Sequence, residues 1–121
     1  MATFSKQLLS GSTGGRFIKV ASTTQGSGTT IHATGTSSSI FDEIWLYAVN
    51  SSASNVKLTV EFGGTTSPDD SLELTITAEA GLVLVVPGLV LAGTGAAART
   101  VTAFAATANV INLSGYVNRI T

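Results

Sequence analysis

The sequence predicts an all-β fold, a single-domain antiparallel β-sandwich or jelly roll of about eight strands. Three observations carry that expectation. VKLTVEF (56–62), SLELTI (71–76) and VINLSGYV (110–117) alternate apolar and polar residues. That period of two belongs to strands with one buried and one wet face. Turn-forming stretches (GSTGG, TTQGSG, TGTSSS, NSSASN, GGTTSPDD and AGTGAAA) separate the apolar segments. No segment carries helical periodicity.

Taken in order, residues 1–15 read as an N-terminal arm and residues 16–121 as the sandwich domain. The arm carries Phe4, Leu8 and Leu9 as small anchors, with GSTGG (11–15) as a flexible joint. It either adds an edge strand to its own sheet or reaches toward a neighbouring subunit. Weaker strands follow at 16–21 (RFIKVA) and 29–34 (TTIHAT). In EIWLYAV (43–49), Ile44, Leu46 and Ala48 share one face while Trp45, Tyr47 and Val49 share the other, so both faces are apolar. Segment 56–62 sets Val56, Leu58, Val60 and Phe62 against Lys57, Thr59 and Glu61, and 71–76 sets Leu72, Leu74 and Ile76 against Glu73 and Thr75.

The run from Leu82 to Ala92 has no charged or polar side chain. As a helix it would span about 16 Å, well short of a ~30 Å hydrocarbon core. Pro87-Gly88 in its middle also disfavours a helix. It therefore reads as two short strands, LVLVV and LVLA, joined at a corner. A further weak strand is expected at 100–106, and 110–117 turns Ile111, Leu113 and Val117 to one face. In a two-layer sandwich each strand should have one wet face, yet 43–49 and LVLVV have none. Their outer faces are covered either by a loop or the arm, or by another subunit. The candidate interface residues are Phe4, Leu8, Leu9, Trp45, Tyr47, Val83, Val85 and Leu89.

Composition narrows the chemistry. The chain has 121 residues, 44% hydrophobic and 11% charged, with a net charge of -1. Scattered basic residues give no phosphate-tracking stripe, so nucleic acid is not an expected partner. The absence of cysteine excludes disulfides and thiolate metal sites. The N-terminus lacks the basic flank and apolar block of a signal peptide, so export by that route is not expected. His32 is the lone histidine and reads as structural rather than as a metal ligand. Asp69, Asp70 and Glu73 lack the alternation of a Ca²⁺ loop and read as a solvated turn. Neighbouring acids such as Asp42 and Glu43 diverge along an extended chain, and no phosphate loop or nucleophile elbow occurs. No catalytic residue, cofactor or metal is expected.

VPGLVLAG (86–93), TVTAFAATANVINLSGYVNRI (100–120) and FSKQLLSGSTGGRFIKVA (4–21) resemble small virion proteins of tailed bacteriophages, a similarity that runs along the whole chain. The resemblance implies a compact β-sandwich serving as a capsid decoration or cement subunit, or as a minor head or neck component. It carries no binding residue over to this sequence. Its implied partner is the major capsid protein, and its implied location is the head surface after synthesis in the host cytoplasm. The apolar faces that include Trp45 and Tyr47 or the 82–91 segment separately point to self-association as a homo-oligomer such as a trimer. Two alternatives compete. One is a carbohydrate-binding or adhesin-like module of a phage fibre, for which an exposed Trp45–Tyr47 platform beside a groove would speak. The other is a cupin-like enzyme, which a single histidine disfavours.

Overall fold

A computed structural model describes residues 2–121. Nine strands follow one another: β1 (Phe4–Leu8), β2 (Ile18–Lys19), β3 (Thr29–Ala33), β4 (Phe41–Asn50), β5 (Val56–Phe62), β6 (Ser71–Ile76), β7 (Val83–Ala92), β8 (Thr100–Ala105) and β9 (Ile111–Ile120). No helix forms among the described residues, so none is long and apolar enough to cross a membrane.

The strands make two antiparallel sheets. Sheet A runs β1-β9-β4-β7, with the short β2 also on β9, and sheet B runs β3-β8-β5-β6. This order is a long hairpin rolled up. β5 pairs with β6, β4 with β7, β3 with β8, and β1 and β2 with β9, each pair nested outside the last. Rolling brings β9 against β4 and β8 against β5, which is the connectivity of a jelly roll. The core lies between the sheets. Ile44, Leu46, Leu113 and Val117 of sheet A are fully buried, as are Ile31, Leu58, Val60 and Val101 of sheet B. Each such side chain contributes about 1.5–3 kcal/mol by leaving water.

Segments 56–62 and 71–76 form strands with the expected limits. Segment 16–21 pairs only over Ile18–Lys19, and 110–117 runs on to Ile120. Residues 4–8 of the arm lie along β9, with Phe4 opposite Ile120 and Leu8 opposite Tyr116. They add an edge strand to the domain's own sheet.

LVLVV and LVLA do not meet at a corner as the sequence suggested. They form one ten-residue strand, whose register against β4 shifts twice, between Ile44 and Trp45 and between Leu46 and Tyr47. Two bulges absorb what looked like a break. Gly88 takes the first at φ 78. Its lack of a side chain also makes room for an indole, because a Cβ there would stand 2.8 Å from Trp45 Cζ2. The second bulge turns both Val85 and Val86 into the core. An extra residue breaks the alternation, which is why Val85 and Val86 are apolar and buried at successive positions; Leu84 faces outward beside Tyr47. Gly115 in β9 has φ 151, and a Cβ there would overlap the carbonyl oxygen of Trp45. Glycine is what lets β9 lie this close to β4.

Candidate functional site

Strand pairing lays out the outer face of sheet A row by row, because residues opposite one another in a ladder share a face. The first row is Phe4–Ile120–Phe41–Ala92, across β1, β9, β4 and β7. The second is Lys6–Asn118–Glu43–Val90, and the third Leu8–Tyr116–Trp45–Pro87. A fourth row holds Ser114, Tyr47 and Leu84, with exposed Phe17 just before β2. Aromatic and aliphatic side chains thus span the whole sheet, with Phe4 69%, Leu8 58% and Val90 52% exposed.

The middle of this face is ordered by directional contacts. Trp45 stacks on Tyr116 with ring centroids 6.3 Å apart and planes 15° from parallel. Lys6 Nζ sits 4.7 Å from the centroid of the Tyr116 ring, a cation–π contact. Trp45 Nε1–H donates to Glu43 Oε1 at 2.8 Å, and Asn118 Nδ2 donates to the same oxygen at 3.0 Å. These two donors, Trp45 first, hold the Glu43 carboxyl below its ordinary range against a smaller opposing effect of burial.

Of the residues singled out from sequence, Phe4, Leu8, Trp45 and Tyr47 come together on this face. Leu9 and Val85 do not, being 2% and 6% exposed in the core. Val83 pairs with Ala48 and Leu89 with Ile44, so both turn to the inner side. Leu89 stays 44% exposed because β7 is an edge strand. Val83, Val85 and Leu89 thus share the inner side of β7, and the two bulges, by cancelling each other's shift of parity, keep Val83 and Leu89 on one side. Sequence reasoning missed Phe41, Tyr116, Ile120, Leu84 and Val90. Extending the 110–117 alternation by three residues would have put Tyr116 and Ile120 on the face assigned to Asn112 and Ser114.

The chemistry-bearing residues serve the fold. His32 of sheet B and Asp42 and Arg119 of sheet A meet at one end of the core. Ser10 N–H donates to His32 Nδ1 at 3.0 Å, which leaves the ring proton on Nε2 to donate to Asp42 Oδ2 at 2.8 Å. Arg119 grips the same carboxylate with Nε and Nη2 at 2.8 and 2.9 Å. Burial alone would raise the Asp42 pKa. The hydrogen bonds from Arg119 and His32 and the charge of Arg119 outweigh it, and the group lies below its ordinary range. Glu61, fully buried, accepts from Thr102 Oγ1 at 2.7 Å and from Gly26 N–H at 2.9 Å, pinning the β2–β3 connection over sheet B. Asp70 Oδ2 accepts from Thr66 N–H at 3.0 Å and closes the turn before β6. Among the described residues no three His, Cys, Asp or Glu side chains gather as a metal site. A shallow hollow of ≈ 220 Å³ lies on sheet B between Thr23, Lys57, Thr59, Glu73 and Phe104, away from Trp45 and Tyr47.

No family model, curated protein or solved structure matches the chain. Its class therefore rests on what the coordinates define, a jelly-roll β-sandwich with one aromatic, apolar outer face.

Proposed function

We propose that the protein is a structural subunit of a phage virion that decorates the capsid and stabilises the head by bridging capsid proteins. The observation that carries this reading is the outer face of sheet A, a broad apolar surface with no cleft around reactive groups. Contiguous exposed apolar patches beyond a few hundred Å² are uncommon on monomers and mark contact surfaces. A neighbouring subunit, whether a capsid protein or another copy, would complete its burial. The jelly roll supports the reading by analogy, since viral capsid domains use it, though lectins and cupins do as well.

The second reading, a sugar-binding module of a phage fibre, draws on the half-exposed Trp45 and Tyr47. Quantifying the protein in purified virions tests the first. Decoration requires a copy number well above that of the tail proteins, and absence from intact virions removes the proposal. A low copy number points instead to a minor head or neck position. Saturable glycan binding that is lost in Trp45→Ala would favour the fibre module.

A further inference from the structure

Geometry narrows what can cover sheet A. Its β7 edge resists strand addition. Pro87 has no N–H to offer, and the two bulges interrupt the row of free backbone groups. A partner therefore meets the face rather than this edge. The face carries Lys19 at the β2 end, opposite Asn112, and one charge of each sign farther along it. Lys6 stands on β1 and Glu43 on β4, in the same row, one strand to either side of β9. An indifferent apolar partner would bury both charges unpaired, at a cost of several kcal/mol.

We propose that the occupant is a second copy of this chain, packed face to face about a two-fold axis that lies in the face close to β9. The inference shares with the proposed function only the reading of sheet A as a contact face. Rotation about that axis sets β9 on β9 and β1 of each copy on β4 of the other. The rows then match: Phe4 meets Phe41, Lys6 meets Glu43, and Leu8 meets Trp45, each twice by symmetry. Tyr116, Asn118 and Ile120 meet their own counterparts on the axis. This is the self-complementarity a two-fold contact requires, in which residue i meets j and j meets i.

Both charged groups are already set for the contact. Glu43 spends Oε1 on Trp45 and Asn118, and no hydrogen bond within the described chain reaches its Oε2. Lys6 rests on the Tyr116 ring, a contact that uses none of its three N–H donors in a hydrogen bond. The two-fold overlays β1, β9 and β4 and leaves β7 at the margin. Three strands at ~4.8 Å spacing and ten residues of ~3.3 Å rise give an overlap of roughly 480 Å² in projection. That is below the ~800 Å² per partner of a standard stable interface and in keeping with a weak, reversible dimer.

The test uses purified protein without capsids, so its failure leaves the virion reading standing. Sedimentation and light scattering at about 50 μM should give twice the 12.2 kDa chain mass. Lys6→Glu and Glu43→Lys each place like charges opposite one another twice, and each should weaken dimerisation about a hundredfold or more. Mixing the two variants in equal amounts should restore a dimer. In the mixed pair, the side chain at position 6 of either copy again faces an opposite charge at position 43 of the other. No pairing within one chain can produce that rescue. Phe41→Asp, checked by circular dichroism, is the second variant if a reversal unfolds the chain, and it too should be monomeric. A monomeric parent overturns the proposal and leaves the face to a different protein. Variants that dimerise like the parent, or a mixture that stays monomeric, overturn it equally.

Discussion

The two outer faces of the sandwich are built from similar strands and treated in opposite ways. On sheet B the outward residues are polar apart from Phe104 on β8: Thr30 on β3, Thr102 on β8, Lys57, Thr59 and Glu61 on β5, and Glu73 and Thr75 on β6. The chain still folds a loop over part of this face. Gly26 is tied to Glu61, and Ala105 N–H donates to Ser22 O at 3.0 Å, so Thr59 and Glu61 are buried. On sheet A the outward residues are largely aromatic and aliphatic around Lys6, Asn118 and Glu43, and no described segment covers them. A chain acting alone would gain more by covering the apolar face and leaving the polar one to water. That inversion is what supports the proposal that sheet A is a contact surface.

The change that should break sheet A most severely is Gly115→Ala. Its methyl group would enter the Trp45 carbonyl, forcing β9 away from β4 and parting the Trp45–Tyr116 stack. A loss of about 4 kcal/mol or more is expected, read as a collapse of the urea midpoint.

The join between the sheets is tested next by Asp42→Ala, which strands the buried His32 N–H and releases Arg119. The expected cost is about 3 kcal/mol at neutral pH, at the lower end for a broken buried pair because Arg119 can reach solvent. The parent should show the matching pH dependence. With the folded pKa of Asp42 below its ordinary range, the stabilisation is complete above the unfolded value. It is lost as pH falls through the folded value, below about pH 4. Urea midpoints from pH 7 to pH 2 should fall less steeply for the variant. Equal slopes would place the acid sensitivity elsewhere.

Glu61→Ala should loosen the loop over sheet B while leaving sheet A unchanged. A stability loss of about 1–3 kcal/mol is expected, with faster amide exchange at Gly26 and undisturbed Trp45 fluorescence. Altered fluorescence would mean that the two faces are coupled through the core. The smallest effect belongs to the Lys57–Glu73 pair. It closes to 2.6 Å, but both side chains are about half exposed, so Lys57→Ala should shift stability by no more than ~0.5 kcal/mol.

Much of this comparison could be read in the sequence, and particular residues show where reading stopped. Trp45 and Tyr47 stood out because a strand with two apolar faces violates the expectation for a sandwich. Leu9, Val83, Val85 and Leu89 were grouped with them on apolarity alone. For the three on β7, the bulges at Val85 and Gly88 and the edge position of the strand decide which reach the surface, while Leu9 enters the core just beyond β1. Glu61 gave no signal, since it occupies the polar position of a regular strand and is buried only by a loop distant in sequence. The same holds for His32, whose partners Ser10 and Asp42 come from two other parts of the chain.

The sequence by itself determined the all-β class, the two-sheet architecture and most strand positions. Period-two alternation is a local property, and each segment carries it without reference to its neighbours. Only the tertiary structure decided that Phe4, Phe41, Tyr116, Trp45 and Leu84 share one surface. That surface exists because β9 returns from the end of the chain to lie between β1 and β4, and such pairings depend on global packing rather than on local pattern. The placing of Lys6 and Glu43 on either side of β9 is equally nonlocal. Their separation in sequence carries no trace of it, because ladder register is set by the match of whole strands against a common core.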